Sequence, residues 1–364
     1  MSEAFQTSLE IQSHRGSYIC ELRRGQFNEL ASMDLAGKSF IVDSKVAKLY
    51  PREMEKILAS SRCLLIEATE ENKNLDRFTS YIETLSGQGI RRGDLLVAIG
   101  GGIIQDITCF IASVLFRGLD WTFYPTTLLA QADSGIGSKS SINVGEIKNL
   151  LGTFTPPKRV CVDPSVLRTL GQDEIRSGIG EMLKVHLIDG PESFRRIAAD
   201  YDRMVQDGAV LLKYVDSALR IKKRFIESDE FDRGIRNVLN YGHSFGHAIE
   251  TATEFAIPHG VAVTMGMDMA NFVSEALGFT SAEHAGYFRE VHHTLWKNYK
   301  GFENQEIPLD RFFRGISKDK KNTGSKLGLI LPGKDAIPAR VYQVNDEHFQ
   351  TLCRSFFSEV RKSS

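Results

Sequence analysis

The chain holds 364 residues, with 45 Lys and Arg against 46 Asp and Glu, a formal net charge of -1 and a pI near 6.8. That even balance, with 42% hydrophobic and 25% charged residues, excludes a disordered or collagen-like chain and a nucleic-acid binder resting on a basic excess. No apolar run reaches the ~18 residues of a membrane span, and the opening MSEAFQTSLE lacks the charged and apolar regions of a secretory signal.

At roughly 150 residues per domain, two domains are expected. The stretches SLEIQS and SYICEL, across His14–Gly16, predict a hairpin at the edge of a sheet. Short apolar runs at 39–46, 63–68, 94–100, 121–126 and 159–163 read as buried strands. Between them, 73–89 and 101–116 carry helical spacing, with Ile103, Ile107, Phe110, Ile111 and Val114 on one face of the second. Alternation of this kind implies a parallel sheet covered by helices, a Rossmann-like α/β domain over residues 1–172. From 173 to 364 the pattern is mainly α-helical, with segments at 172–189, 191–230, 234–253, 260–277 and 281–298. A strand pair (326–333 and 339–344) and a terminal helix close the chain. A cleft between two packed domains is the expected place for a ligand. Cys20, Cys63, Cys109, Cys161 and Cys353 are scattered without a CxxC, so reduced, buried thiols in a cytoplasmic protein are expected.

Three features carry chemistry. The strand DLLVAIG runs into Gly100-Gly101-Gly102 and a helix, where close backbone approach and free N–H groups suit a pyrophosphate. A tight turn that binds nothing explains the same residues, since GGGIIQD does not match GxGxxG. Glu70 and Lys73, near this edge, could reach an adenosine or be solvated surface. Within GIRNVLNYGHSFGHAIE and the following PHG, His243, His247 and His259 cluster, and GIGEMLKVH adds Glu181, Lys184 and His186. Imidazoles with a carboxylate suit a divalent ion with an open position. Spacing alone nominates His243 and His247, four apart on one helix face, and leaves the ligand set open. Asp133, Lys139, Lys148 and Asn149 lie in a Gly- and Ser-rich stretch, with Arg117, Lys222, Arg236 and Lys320-Lys321 elsewhere. Cations in apolar or glycine-rich segments point to an anionic ligand, phosphate or carboxylate.

With GGGIIQD, FRG, PTTLLAQADSGIGSK, KNLLGTF, SGIGEMLK, RNVLNYGHSFGHAIE, PHG and SKDKKN in order and register, the chain resembles the dehydroquinate synthase family of sugar-phosphate cyclases. The resemblance implies NAD and one divalent metal, zinc or cobalt, in a homodimer acting on a small anionic sugar phosphate. It assigns Glu181, His243 and His259 to the metal and turns His247 to the substrate. Asp133, Lys184, Lys222 and Asn240 would surround the substrate hydroxyls and the metal. Arg117, Lys139, Asn149, His247 and Lys320 would hold phosphate, and Arg236 with Lys222 the substrate carboxylate. Glu70, Lys73, Gly102, Asp106, Thr126, Thr127, Lys139, Lys148 and Thr169 would line the NAD site. The implied reaction converts 3-deoxy-arabino-heptulosonate 7-phosphate to dehydroquinate through transient oxidation, phosphate elimination, re-reduction and an intramolecular aldol.

Ser138, Gln105 and the NVGEI stretch before Lys148 depart from the family pattern beside the NAD and phosphate positions. They bear on substrate choice and cofactor affinity more than on the chemistry. Sister cyclases of the deoxy-scyllo-inosose or valiolone type act on sugar phosphates without a carboxylate, and a buried Arg236 argues against such a substrate. A metal- and NAD-dependent polyol or glycerol-phosphate dehydrogenase is a further alternative, distinguished by net NADH production.

Overall fold

The computed structural model describes residues 6–318, 322 and 326–362. The chain divides into two compact units, one of Met1–Leu170 with Lys222–Phe231 and the other of Gly171–Ile221 with Asp232–Ser364.

The first unit opens with the expected hairpin, β1 (Gln6–Ile11) antiparallel to β2 (Tyr18–Arg23). Strand β3 (Lys38–Asp43) stops earlier than its apolar run suggested, because the Asp43 carboxylate accepts from the Lys45 N–H and caps helix α1 (Ser44–Leu49). Helix α2 (Pro51–Leu58), β4 (Cys63–Ile66), α3 (Phe78–Gly87), β5 (Leu95–Gly100), α4 (Gly102–Val114) and β6 (Asp120–Pro125) follow. The predicted helix at 73–89 is a true α-helix only from Phe78, preceded by two single 3-10 turns at Glu71–Lys73 and Leu75–Arg77. The Gly- and Ser-rich stretch after β6 holds a small hairpin, β7 (Ile142–Val144) and β8 (Ile147–Leu151), before β9 (Arg159–Val162).

Among the described residues the sheet order is β1-β2-β9-β6-β5-β3-β4, parallel apart from the β1–β2 pair. Its central strands are buried on both faces, which explains their unbroken apolar runs. One face packs Phe27, Phe40, Val42, Tyr50, Met54 and Ile99 into a common cluster. The strands deliver the Gly100 turn, the Thr126 turn and Asp43 at their C-terminal ends, where open α/β sheets bind ligands.

The second unit is helical: α5 (Gln172–Ile188), α6 (Pro191–Ala199), α7 (Tyr201–Gln206), α8 (Gly208–Ser228), α9 (His243–Ala252), α10 (His259–Ala276), α11 (Ala285–Tyr299) and α12 (Leu309–Ser317). The end of α8, from Lys222, belongs to the first unit. The segment 191–230 is therefore three helices, and 234–253 is a 3-10 turn (Ile235–Asn240) followed by α9. An antiparallel pair, β10 (Lys326–Pro332) and β11 (Pro338–Val344), and α13 (Glu347–Ser355) complete it.

Three helices meet at glycines. A methyl group on Gly260 of α10 would lie 1.8 Å from the Ser177 carbonyl oxygen of α5, and one on Gly266 would lie 2.1 Å from the Gly242 carbonyl oxygen. Gly242 itself has φ 76°, a left-handed conformation that only glycine takes without strain, and so sets the entry of α9. These close approaches bring together the helices that carry Glu181, His243 and His259. Four of the cysteines are buried and Cys63 is half-buried, none in a disulfide, as the sequence suggested. No helix among the described residues is long and apolar enough to cross a membrane.

Candidate active site

Glu181 lies at the middle of α5, 1% exposed, one turn before Lys184 at 3%. The Lys184 ammonium donates to Glu181 Oε2. The other oxygen, Oε1, has no hydrogen-bond partner among the described residues. It stands 3.7 Å from His243 Nε2 and 3.4 Å from His259 Nε2. Each histidine is held from behind, His243 through Nδ1 against the Tyr241 carbonyl at 3.2 Å, and His259 through Nδ1 against Glu250 Oε2 at 3.1 Å. A buried carboxylate oxygen without a donor is costly. Two imidazole nitrogens aimed at it, with their far sides already engaged, form a donor set that fits a divalent cation.

The electrostatics follow from the same neighbours. Burial by itself would raise the Glu181 pKa, but Lys184, His243 and His259 outweigh it and hold the carboxyl well below its usual range. Burial, reinforced by Lys184, holds His243 well below its ordinary value, leaving a neutral imidazole. Burial opposes protonation of His259 too, yet the Glu250 and Glu181 carboxylates push it up to about 10. His247 is exposed, with its ring centroid 5.3 Å from that of His243 and 5.7 Å from that of His259. The three imidazoles offer nitrogens within 4.8 Å of one another. The spacing-based pair and the resemblance-based set thus share one place, where Glu181 Oε1 is buried and His247 is exposed. Arg236 is buried in the 3-10 turn before α9, and on that turn the Asn240 side chain donates to the Asn237 carbonyl at 3.1 Å.

In the first unit, Gly101 precedes α4, whose first turn has no side-chain cap, and a methyl at Gly101 would sit 2.9 Å from Thr127 Cγ2. The backbone from Gly100 through Gly102 thus presents a helix N-terminus behind a surface without side chains. Beside it lies a charged network. Lys73, 5% exposed, donates to Asp106 Oδ2 at 3.2 Å and Asn149 Oδ1 at 3.0 Å, with Glu70 Oε1 at 3.7 Å. Glu70 Oε2 accepts from Asn143 Nδ2 at 2.8 Å and lies 3.7 Å from Lys148 Nζ. Burial raises the Asp106 carboxyl to about 6 in spite of Lys73. Glu70, Lys73, Asp106, Lys148 and Asn149 are thus brought together, and Asn149, grouped with the phosphate residues on sequence, is bonded here to Lys73.

Thr126 donates its N–H to the Gly100 carbonyl at 2.9 Å, and Thr127 Oγ1 accepts from the Ala130 N–H at 3.2 Å. Thr169 is engaged instead with Tyr50 Oη at 3.0 Å. Asp133 sits in a π-helical turn, Ala130–Ser134, with Lys222 Nζ 2.9 Å from its Oδ1 and donating to its carbonyl at 2.8 Å. Such turns re-aim side chains at functional places. Gln105, one of the departures, exchanges hydrogen bonds with Ser134, next to Asp133. Ser138 is 1% exposed, and the strand-like pairing of Lys139 with Phe154 continues from it. Arg117 is exposed, on a turn where Phe116 and Arg117 both have positive φ. Lys320 lies outside the described residues. Sequence reasoning gave no role to Asn143, Tyr241 and Glu250, although Asn143 opens NVGEI and the other two lie in RNVLNYGHSFGHAIE, with Glu250 seven residues after His243 and on its helix face.

Residues 63–177 match the family description "3-dehydroquinate synthase N-terminal", and residues 178–322 match "3-dehydroquinate synthase C-terminal". The chain belongs to the 3-dehydroquinate synthase family. It is 36% identical over 338 residues to the 3-dehydroquinate synthase of Campylobacter concisus, covering 90% of this chain and 93% of that one. The 3-dehydroquinate synthase of Alkaliphilus metalliredigens is 33% identical, with 80% and 82% covered. Among solved structures, 2-epi-5-epi-valiolone synthase from Streptomyces hygroscopicus, with NAD+ and Zn2+ bound, aligns at TM-score 0.78 and 24% identity over 93% of this chain and 96% of its own. A 2-deoxy-scyllo-inosose synthase with carbaglucose-6-phosphate, NAD+ and Co2+ aligns at 0.80 and 22%, over 97% and 100%. An iron-containing alcohol dehydrogenase from Thermotoga maritima follows at 0.60 and 17%, over 91% and 94%. These likenesses show the fold, an α/β part followed by a helical one.

Proposed function

We propose that this chain is a 3-dehydroquinate synthase, converting 3-deoxy-arabino-heptulosonate 7-phosphate to 3-dehydroquinate and phosphate. The observation that carries the reading is the orphaned Glu181 oxygen facing two outward-braced imidazoles in a chain 36% identical to a synthase of that name. When bound, NAD would supply a reversible hydride acceptor and a divalent ion, zinc or cobalt, would make a substrate hydroxyl more acidic.

Glu181, His243 and His259 would hold the ion. Lys184 neutralises the second Glu181 oxygen, so that Glu181 stays ionised in an apolar helix bundle. The uncapped first turn of α4 with Gly102 would take the pyrophosphate, and Lys73, Asp106, Glu70 and Lys148, with Thr126, Thr127, Lys139 and Thr169, would complete the dinucleotide site. Asp133, paired with Lys222, would orient substrate hydroxyls together with Asn240. Arg236, buried in the turn before α9, would meet the substrate carboxylate, whose planar bidentate geometry a guanidinium matches. Arg117, Lys139, Asn149, His247 and Lys320 are assigned to phosphate. A cytoplasmic homodimer in aromatic biosynthesis belongs to the same proposal.

The test is incubation of metal-loaded protein with catalytic NAD and the heptulosonate phosphate, following phosphate, dehydroquinate and NADH together. Phosphate and dehydroquinate in equal amounts without net NADH are expected. Turnover only of a sugar phosphate without a carboxylate would move the protein to a sister cyclase, and net NADH from a polyol would make it a dehydrogenase.

A further inference from the structure

We propose that Glu250 is a positioning residue that fixes His259 as an Nε2 ligand. This inference rests on the metal-site reading above. Glu250 is 9% exposed and lies in the last turn of α9, where a carboxylate opposes the helix dipole and gains nothing for the helix. A buried carboxylate in that place calls for a local reason, and its Oε2 stands 3.1 Å from His259 Nδ1.

His259 is the first residue of α10, directly after Pro258. Its ring could present either nitrogen to the Glu181 side by rotation about the Cβ–Cγ bond. Acceptance of the Nδ1 proton by Glu250 selects one ring orientation and one tautomer, leaving Nε2 directed at Glu181 Oε1 at 3.4 Å. His243 is set the same way by a backbone carbonyl, that of Tyr241, which no substitution removes. The two ligands therefore differ in design. One is braced by main chain and the other by a side chain, so removing Glu250 loosens one donor of three without touching any of them.

Zinc affinity of the metal-free protein, measured by competition with a chromophoric chelator, tests this in Glu250→Leu and Glu250→Gln. Leu is similar in volume but offers no acceptor, and a 10- to 100-fold weaker zinc affinity is expected. Gln keeps a neutral acceptor and is expected to recover part of that loss. A purely structural role would instead lower the unfolding midpoint of both metal-free variants and leave the zinc affinity of the folded protein unchanged, which would overturn the proposal. A second measurement needs no variant. In zinc-loaded protein with 15N-labelled histidine, the His259 ring is expected to show a protonated Nδ1 and a metal-bound Nε2, and the reverse pattern would also overturn it. Wild-type protein that takes up no stoichiometric zinc would defeat the metal-site reading itself, an outcome distinct from equal zinc affinities across the series.

Discussion

At the scale of single residues, buried charge is the most informative quantity in this protein. Lys73 faces Asp106, whose carboxyl is raised to about 6. A carboxyl raised above its unfolded value favours the folded state at low pH, and that contribution is lost as pH climbs from 3.8 through about 6. Lys73→Met removes the cation that restrains this rise. It is expected to destabilise by about 2 kcal/mol at about pH 8 and by much less at about pH 5.5, where Asp106 takes up a proton. Urea midpoints at the two pH values check it, and equal losses at both would refute it. His186 runs the other way. Burial lowers its imidazole from 6.5 to about 4, and its Nδ1 stands 2.8 Å from Ser193 Oγ. Its stabilising effect is complete above 6.5 and is lost as pH falls through about 4. On the order of 3 kcal/mol is at stake across that window. In His186→Leu the stability curve is expected to flatten there, as read by urea unfolding from about pH 7 to about pH 4.

At the scale of elements, the glycine contacts bring together the helices that carry the proposed ligands. Gly260→Ala would place a methyl 1.8 Å from the Ser177 carbonyl oxygen, with backbone on both sides and no flexible tip to yield. A loss of about 3 kcal/mol or more is expected, together with weakened zinc uptake, because α5 and α10 carry Glu181 and His259. Thermal unfolding and chelator competition measure the two effects, and intact zinc affinity in a destabilised variant would show that the helix contact does not set the ligand geometry. Period and length made the major strands and helices legible in the sequence, since two-sided burial writes itself as apolar runs and one-sided burial as 3.6-residue spacing. Breaks were less legible. The turn at Gly242 lies inside a continuous helical pattern at 234–253, and the joints at Asp200 and Asp207 divide what reads as one helix. The β7–β8 hairpin was missed because its strand Ile147–Leu151 is largely exposed and shows no alternation.

At the scale of the whole molecule, each unit carries one tryptophan, Trp121 in the first and Trp296 in the second. An ion that binds only the native protein adds stability that grows with its concentration, about 4 kcal/mol at a thousandfold excess over Kd. In a Trp121→Phe background the Trp296 unfolding transition is expected to move upward on adding zinc. Glu181→Gln should abolish that shift, because an amide cannot supply the charged oxygen that His243 and His259 face. A shift that survives Glu181→Gln would place the ion elsewhere.

The sequence by itself determined the order of the major elements, the family, and the residue types that metal, anion and dinucleotide chemistry require, because each is written in local period or in motif spacing. Tertiary structure alone decided how those residues combine. Glu181 and His259 are far apart in the chain and meet because Gly260 lets α5 and α10 touch. Glu250 braces His259, and Asn149 joins Lys73 through a hairpin with no clear signature. Burial determines which oxygen is left without a donor, and burial is a property of packed neighbours that no single stretch of sequence contains.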